Sequence, residues 1–541
     1  MWFREKEEGE SSRAVKENAV EFLVHHMLLT SAARFPQKEA LVDTTQRSSY
    51  ETLAGQSSAL AVAFTEIGIS RGDRVGIYLD TSVAQALAVF AVAQSGGVFV
   101  PINSLLFPDQ VAHIVNDCGI KALITTKTKI DALHTVYDRI PTLQLVVSTD
   151  EQAEGKGNLR AYYLPEMIDS QSRVAKDPRI EKDLAAILYT SGSTGKPKGV
   201  MLNHSQVMAG SSIVSKYLSL GPSDRIIGVL PLSFDAGLNQ LMTAIQQGAT
   251  YAPMTFVFAR EIVQMLLRER ITGMAGVPTL WSLMAQPSST LGKESLPHLR
   301  YITNTGGRMP QTVLANLRRV LPSTKIFLMY GLTEAFRSTY LPPEELDRRP
   351  TSMGKAIPNT EILVVNEQGQ PCKPGETGEL VHRGPTVSMG YWGQPELTAR
   401  VLKPHPFIAP ELGDSERVCY SGDLVTMDEE GFLYFVGRRD NMIKSSGFRV
   451  SPSEIEDVLF QSGKLREAAV IGIPDETLGH SIQAFVVPRE GELVDSHALL
   501  SFCAERVPRY MVPKAIRVMD ALPKTPNGKV DYPALRRREG I

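Results

Sequence analysis

Two long stretches of the chain alternate short apolar runs with helix-length segments. In the first, residues 74–79 (RVGIYL), 97–102, 121–125 and 143–148 read as strands, and residues 83–93 and 108–117 as helices between them. Apolar runs of this length, joined by helix-length crossovers, predict parallel strands buried on both faces. Residues 151–181 are polar and irregular and predict a connection. The alternation then resumes. Residues 225–232, 299–304 and 325–330 read as strands, and residues 238–246 and 260–270 as helices, the second ended near Gly273. From residue 354 to 437 the texture changes to short runs at 361–365, 378–382, 423–427 and 432–436, punctuated by Gly, Pro, Asn and Asp, which predicts a β-rich subdomain. After Arg438 the chain restarts as a unit of about 100 residues, with strands at 467–473 and 481–487 and helices at 452–460 and 496–506. The predicted fold class is α/β. A large N-terminal domain (19–438) holds two sheet-and-helix subdomains and the β-rich one, and a small α+β C-terminal domain covers 441–541.

Composition narrows the function classes. At 541 residues the chain exceeds a single core, and 43% hydrophobic with 21% charged residues is ordinary for a globular protein. With 57 basic against 59 acidic residues there is no nucleic-acid footprint. Cys118, Cys372, Cys419 and Cys503 are widely spaced and fit a reduced, cytoplasmic protein better than a disulfide or zinc framework. Residues 1–18 are charged, lack an apolar core and read as a flexible arm rather than a signal peptide. Residues 81–107 carry no charge, but Gly96, Gly97, Pro101 and Asn103 interrupt them. That pattern predicts a buried helix followed by a buried strand, not a membrane span.

The chemistry centres on residues 189–199 (YTSGSTGKPKG). Thr190, Ser191, Ser193 and Thr194 surround Gly192, and Gly195 opens the way to Lys196 and Lys198. Backbone N–H groups, hydroxyls and lysine in such a loop can wrap an anion, as for a nucleotide triphosphate. A Walker A loop is excluded. Only Ser193 and Thr194 separate Gly192 from Gly195 and Lys196, and Pro197 stands where a metal-binding hydroxyl belongs. Two further polar turns fall at predicted strand ends, around Thr305, Gly306 and Gly307 and around Gly331 to Glu334. Ligands of open α/β sheets bind at such ends.

Five motifs follow one another over nearly the whole chain: YTSGSTGKPKG (189–199), YGLTE (330–334), YSGD (420–423), FVGRRDNMIKSSGFRV (435–450) and PKTPNGK (523–529). The ordered set is similar to the adenylate-forming superfamily of acyl-CoA synthetases, peptide-synthetase adenylation domains and luciferases. The resemblance implies two half-reactions with ATP and Mg²⁺. A carboxylic acid first gives an acyl-adenylate and pyrophosphate. A thiol, that of CoA, then gives a thioester and AMP. It also implies that the small C-terminal domain is mobile and swings between the steps about a hinge at 439–440, with Asp440 at its centre.

Carried over position by position, the loop Thr190–Gly195 would hold the β- and γ-phosphates, with Lys198 shaping it. Tyr330 and Gly331 would lie at adenine, with Gly306, Gly307 and Arg308 forming a wall beside adenine and the acyl chain. Thr333 would bond the α-phosphate and Glu334 would hold Mg²⁺ through oxygen. Asp423 would accept from the ribose hydroxyls, and Arg438 would bind ribose or phosphate. Lys529 would stabilise charge gathering at the reacting carboxylate and α-phosphate. Ser446 and Gly447 would line the passage of the thiol partner.

The acid pocket is harder to read. Phe234 and Asp235 stand in its first wall, and Asp235 is open between pairing with a substrate ammonium and serving as a turn or helix N-cap. Residues 96–103, 110–118, 230–241 and 303–310 are similar to the acyl-CoA ligases associated with bacterial exosortase A systems, which carries no acid with it. The leading expectation is a bacterial AMP-forming acyl-CoA ligase. Loading a carrier-protein phosphopantetheine is the same-class alternative, and a catalytically silent nucleotide-binding protein or luciferase-like oxidation are others.

Overall fold

A computed structural model of the chain describes residues 20–169, 179–190, 197–409, 411–412, 416–439, 441–445, 448–475, 479–507, 509–526 and 528–540. Two large sheets dominate. The first has seven strands in the order Arg160–Tyr163, Leu145–Ser148, Ile120–Thr125, Arg74–Tyr78, Val98–Pro101, Leu184–Thr190 and Lys198–Asn203. Every pair is parallel except the last. The second has nine strands, with Arg225–Gly228, Gly273–Gly276, Tyr301–Asn304 and Lys325–Leu332 running parallel through its middle. Parallel pairing follows from the crossover helices, because a parallel neighbour cannot be reached by a hairpin.

Helices Tyr50–Glu66, Val83–Ser95 and Asp235–Gln246 fill the space between the sheets and share one apolar core with strand residues of both, including Val75, Ile77, Ile226 and Tyr251. The uncharged stretch forms helix Val83–Ser95 and strand Val98–Pro101, both buried. Ser82 caps the helix and Gly96 ends it at φ 88°, a conformation that suits glycine. Among the described residues no helix is long and apolar enough to cross a membrane.

A five-stranded antiparallel sheet built on Arg417–Met427 follows, then a second five-stranded sheet in the C-terminal part with Leu465–Asp475 and Gly479–Pro488 at its centre. Two sequence expectations are corrected. Residues 151–181 are not uniformly irregular, because Arg160–Tyr163 extends the first sheet at its edge and Leu164–Asp169 is a helix. Gly273, read as a helix end, opens a buried central strand in which a Cβ would come within 2.1 Å of the Tyr301 ring. Glycine there makes room for an aromatic neighbour rather than breaking the element.

Candidate active site

Strand Lys325–Leu332 turns back into Ala335–Leu341, and Thr333 and Glu334 occupy the two turn positions, both half-buried. Gly331 is needed for this turn. A Cβ there would lie 2.7 Å from the Arg337 backbone nitrogen. One residue earlier, the Tyr330 hydroxyl donates to Asp423 Oδ2 at 2.5 Å. Asp423 lies on Arg417–Met427, directly across from Arg438 on Leu433–Arg438, and Arg438 Nε stands 2.9 Å from Asp423 Oδ1. Asp423 is only 8% exposed. Burial pushes its carboxyl above the ordinary value, while Arg438, the Tyr330 hydroxyl and Lys529 pull the other way. Tyr330, Asp423 and Arg438 therefore form one polar surface at the strand ends.

Glu334 is oriented by a residue the sequence reading missed. The Tyr391 hydroxyl donates to Glu334 Oε1 at 2.5 Å, and Ser388 N donates to the Glu334 carbonyl at 2.8 Å. Both come from the segment after Arg383 that bonds strand Lys198–Asn203, where Met201 N donates to Gly390 O and Trp392 N to Gly199 O. Among the described residues no partner reaches the second Glu334 oxygen, and no group of three or more His, Cys, Asp or Glu could hold a metal ion alone. One oriented, half-exposed carboxylate suits Mg²⁺, which keeps several waters and takes the rest of its ligands from substrate phosphates.

Lys529 reaches this surface from the C-terminal part. Its loop is a tight turn in which Thr525 N donates to Lys529 O at 2.7 Å and Gly528 N to Thr525 O at 2.9 Å. Asn103 Nδ2 donates to Pro526 O at 2.8 Å, and Thr279 Oγ1 to Gly528 O at 3.3 Å, docking the turn onto the large domain. The exposed Lys529 side chain then passes Gly306, where a Cβ would lie 3.2 Å from Lys529 Cε and 3.3 Å from Phe234 Cζ. Its ammonium stands 5.5 Å from the Phe234 ring centroid. Gly306 adopts φ 79°, a conformation that favours glycine, and its neighbours leave a Cβ little room. Gly307 packs on Pro278, with a Cβ meeting its ring at 3.1 Å. Arg308, expected in the nucleotide wall, instead forms an ion pair with Asp457 across the domain junction.

Beside Gly306, Phe234 is buried as the N-cap of helix Asp235–Gln246, and Asp235, also buried, is the helix's first residue. The N-cap alternative for Asp235 is thereby corrected. Thr305 opens the turn before Gly306, and Arg337 Nη1 donates to its hydroxyl at 2.6 Å. Arg337 is 3% exposed and sits at φ 55°. The only sequence signal for it is an arginine three residues past Glu334 in an otherwise uncharged strand.

Thr190 and Lys198 face each other as the last cross-strand pair of their hairpin. Ser191, Gly192, Ser193, Thr194, Gly195, Asp440, Ser446 and Gly447 lie outside the described residues.

Residues 28–392 match the family described as AMP-binding enzyme, and residues 454–529 match the AMP-binding enzyme C-terminal domain. The chain belongs to the AMP-binding enzyme family. Curated relatives of this AMP-binding enzyme include a long-chain-fatty-acid–CoA ligase of Escherichia coli O157:H7, 29% identical over 93% of this chain and 92% of that protein. A feruloyl-CoA synthase of Amycolatopsis sp is 30% identical over 91% and 94%. Among solved structures, ATP-bound MatB from Rhodopseudomonas palustris superposes with a TM-score of 0.83 at 25% identity, covering 95% of this chain and 98% of that one.

Proposed function

We propose that these residues divide the work of an AMP-forming acid–thiol ligase between a nucleotide side and an acid side. The ligase activates a carboxylic acid with ATP and Mg²⁺, releases pyrophosphate, and passes the acyl group from the acyl-adenylate to CoA. The observation that carries the assignment is Lys529, whose turn docks on Asn103 and Thr279 and whose side chain passes Gly306 beside Phe234, near enough to Asp423 for its charge to act on that carboxyl. An ammonium placed there stabilises charge on a carboxylate attacking the α-phosphate.

On the nucleotide side, Asp423 accepts from the ribose hydroxyls and Arg438 holds ribose or phosphate. Tyr330 and Gly331 lie along adenine, with Gly306 and Gly307 as the opposite wall. Thr333 bonds the α-phosphate. Glu334 holds Mg²⁺, which neutralises phosphate charge when bound. The loop from Thr190 to Gly195 grips the leaving pyrophosphate, with Lys198 at its return. Docking of the turn at Asn103 and Thr279 supports an adenylate-forming arrangement of the two domains, divided at the hinge 439–440. Thioester formation then requires rotation about Asp440 to bring Ser446 and Gly447 to the thiol passage. Asp440→Pro keeps acyl-adenylate formation and slows thioester formation, and equal loss of both contradicts the hinge.

A cytoplasmic location agrees with the free thiols of Cys118, Cys372, Cys419 and Cys503. The test is pyrophosphate release with Mg²⁺ and ATP across fatty, aryl and amino acids, followed by addition of CoA or a phosphopantetheinylated carrier protein. An acid-dependent burst and an acyl-CoA product are expected. Transfer to the carrier alone overturns CoA as acceptor, and no release with any acid overturns the ligase reading.

A further inference from the structure

Arg337 is a buried cation. Among the described residues no carboxylate forms an ion pair with it, and its Nε is buried without a hydrogen-bond partner. Among the described residues its guanidinium makes one hydrogen bond, to the neutral Thr305 hydroxyl at 2.6 Å, and it lies 5.1 Å from the centroid of the neighbouring Phe336 ring. Burying an unpaired charge is costly enough that such groups are paired or serve a ligand. Arg337 also holds φ 55°, unfavourable for a side chain of this size. Two unfavourable features at one residue, beside a substrate pocket, point to a binding role rather than to fold stability.

The position is that of the acid. Thr305 is adjacent to Gly306, where the exposed Lys529 and the buried Phe234 meet. Arg337 approaches the same turn from the interior. Phe336 and Asn239 close around Gly210, where a Cβ would lie 2.6 Å from Phe336 Cδ1 and 3.7 Å from Asn239 Nδ2. Helix Asp235–Gln246 and the strand bearing Arg337 thus pack on the same glycine, with Arg337 on the buried side of the Thr305–Gly306 turn and Lys529 on its exposed side. An acid whose reacting carboxylate meets Lys529 directs its other end toward Arg337.

We infer that Arg337 is a specificity-determining residue that binds a second carboxylate, making the substrate a dicarboxylic acid. The inference rests on the ligase reading above. The planar guanidinium fits a carboxylate through two parallel hydrogen bonds, and the unpartnered Nε is one of the donors available for them. An acid with a methyl at that end leaves the cation unpaired and is rejected.

The experiment compares kcat/KM for pyrophosphate release with pairs of acids of equal length, straight-chain and aryl, bearing one or two carboxylates. The wild-type chain prefers the diacid of its best pair by about 100-fold, as expected for a charge-assisted pair in a buried site. Arg337→Met reverses the ratio, and Arg337→Lys keeps part of it because the charge remains without the fork. The ligand-free Arg337→Met protein melts no lower than wild type, since it loses an uncompensated cation. Wild-type preference for monoacids overturns the inference alone. Equal loss of both acids in Arg337→Met also overturns it, since Arg337 would then hold the reacting group. A melting temperature several degrees lower makes Arg337 structural and overturns it too. No turnover with any acid overturns acid activation itself.

Discussion

The proposed nucleotide side and the proposed acid side of the cleft are built on opposite terms. Tyr330, Asp423 and Arg438 bond one another before any ligand arrives, and Tyr391 fixes Glu334. Arg337, by contrast, has among the described residues one hydrogen bond, to a neutral hydroxyl, and a buried nitrogen without a partner. A surface that must present the same face to ATP in every turnover gains from internal hydrogen bonds that fix it. A pocket that must distinguish one acid from another gains from an incomplete environment that only the right acid completes.

This contrast breaks most visibly at Lys529, the residue that spans both sides. Lys529→Ala is expected to cost adenylation about 3 kcal/mol, on the order of 100-fold or more. Thioester formation from supplied acyl-adenylate suffers far less, and single-turnover assays of each half-reaction separate the two. Asp423→Asn keeps the shape and removes the charge. It is expected to lower kcat/KM for ATP by about 30-fold, near 2 kcal/mol, with little change in the order of preference among acids. A changed acid preference in that variant would dissolve the division into two sides.

Smaller effects belong to the C-terminal part. Arg308 and Asp457 are both partly exposed, so Arg308→Ala costs adenylation less than about 1 kcal/mol. Added salt has the same effect on the wild type and none on the variant. Glu456 accepts from Val470 N and from the Tyr532 hydroxyl, each at 2.8 Å, and burial lifts its carboxyl from 4.5 to about 7. The folded state therefore keeps a proton that the unfolded chain releases. The stability this gives is present below 4.5 and is lost as pH rises through about 7. Between about pH 6 and 8 the wild-type melting temperature should fall more than that of Glu456→Gln, as differential scanning calorimetry can read.

The same contrast decided what could be read from the chain. Strands such as Arg74–Tyr78 and Ile120–Thr125 were legible because burial on both faces writes them as apolar runs. Arg160–Tyr163 and Gly273–Gly276 were not. The first is a polar edge strand, and the second is made of glycine and small residues that yield space to Tyr301 and Trp281. Tyr330, Glu334, Asp423 and Lys529 stand in contiguous motifs that are legible as short strings. Tyr391 and Arg337 act through contacts 57 and 32 residues away, which no local pattern records. Arg308 stood beside a recognisable glycine pair, yet its side chain extends to another domain.

The central claim is that this cleft forms an acyl-adenylate before any thiol takes part. Acid-dependent exchange of labelled pyrophosphate into ATP, measured with Mg²⁺ and without CoA, tests it most directly. Exchange that requires the acid, proceeds without CoA and is nearly abolished in Lys529→Ala is the predicted result. AMP production that requires CoA and shows no pyrophosphate exchange with any acid would contradict it.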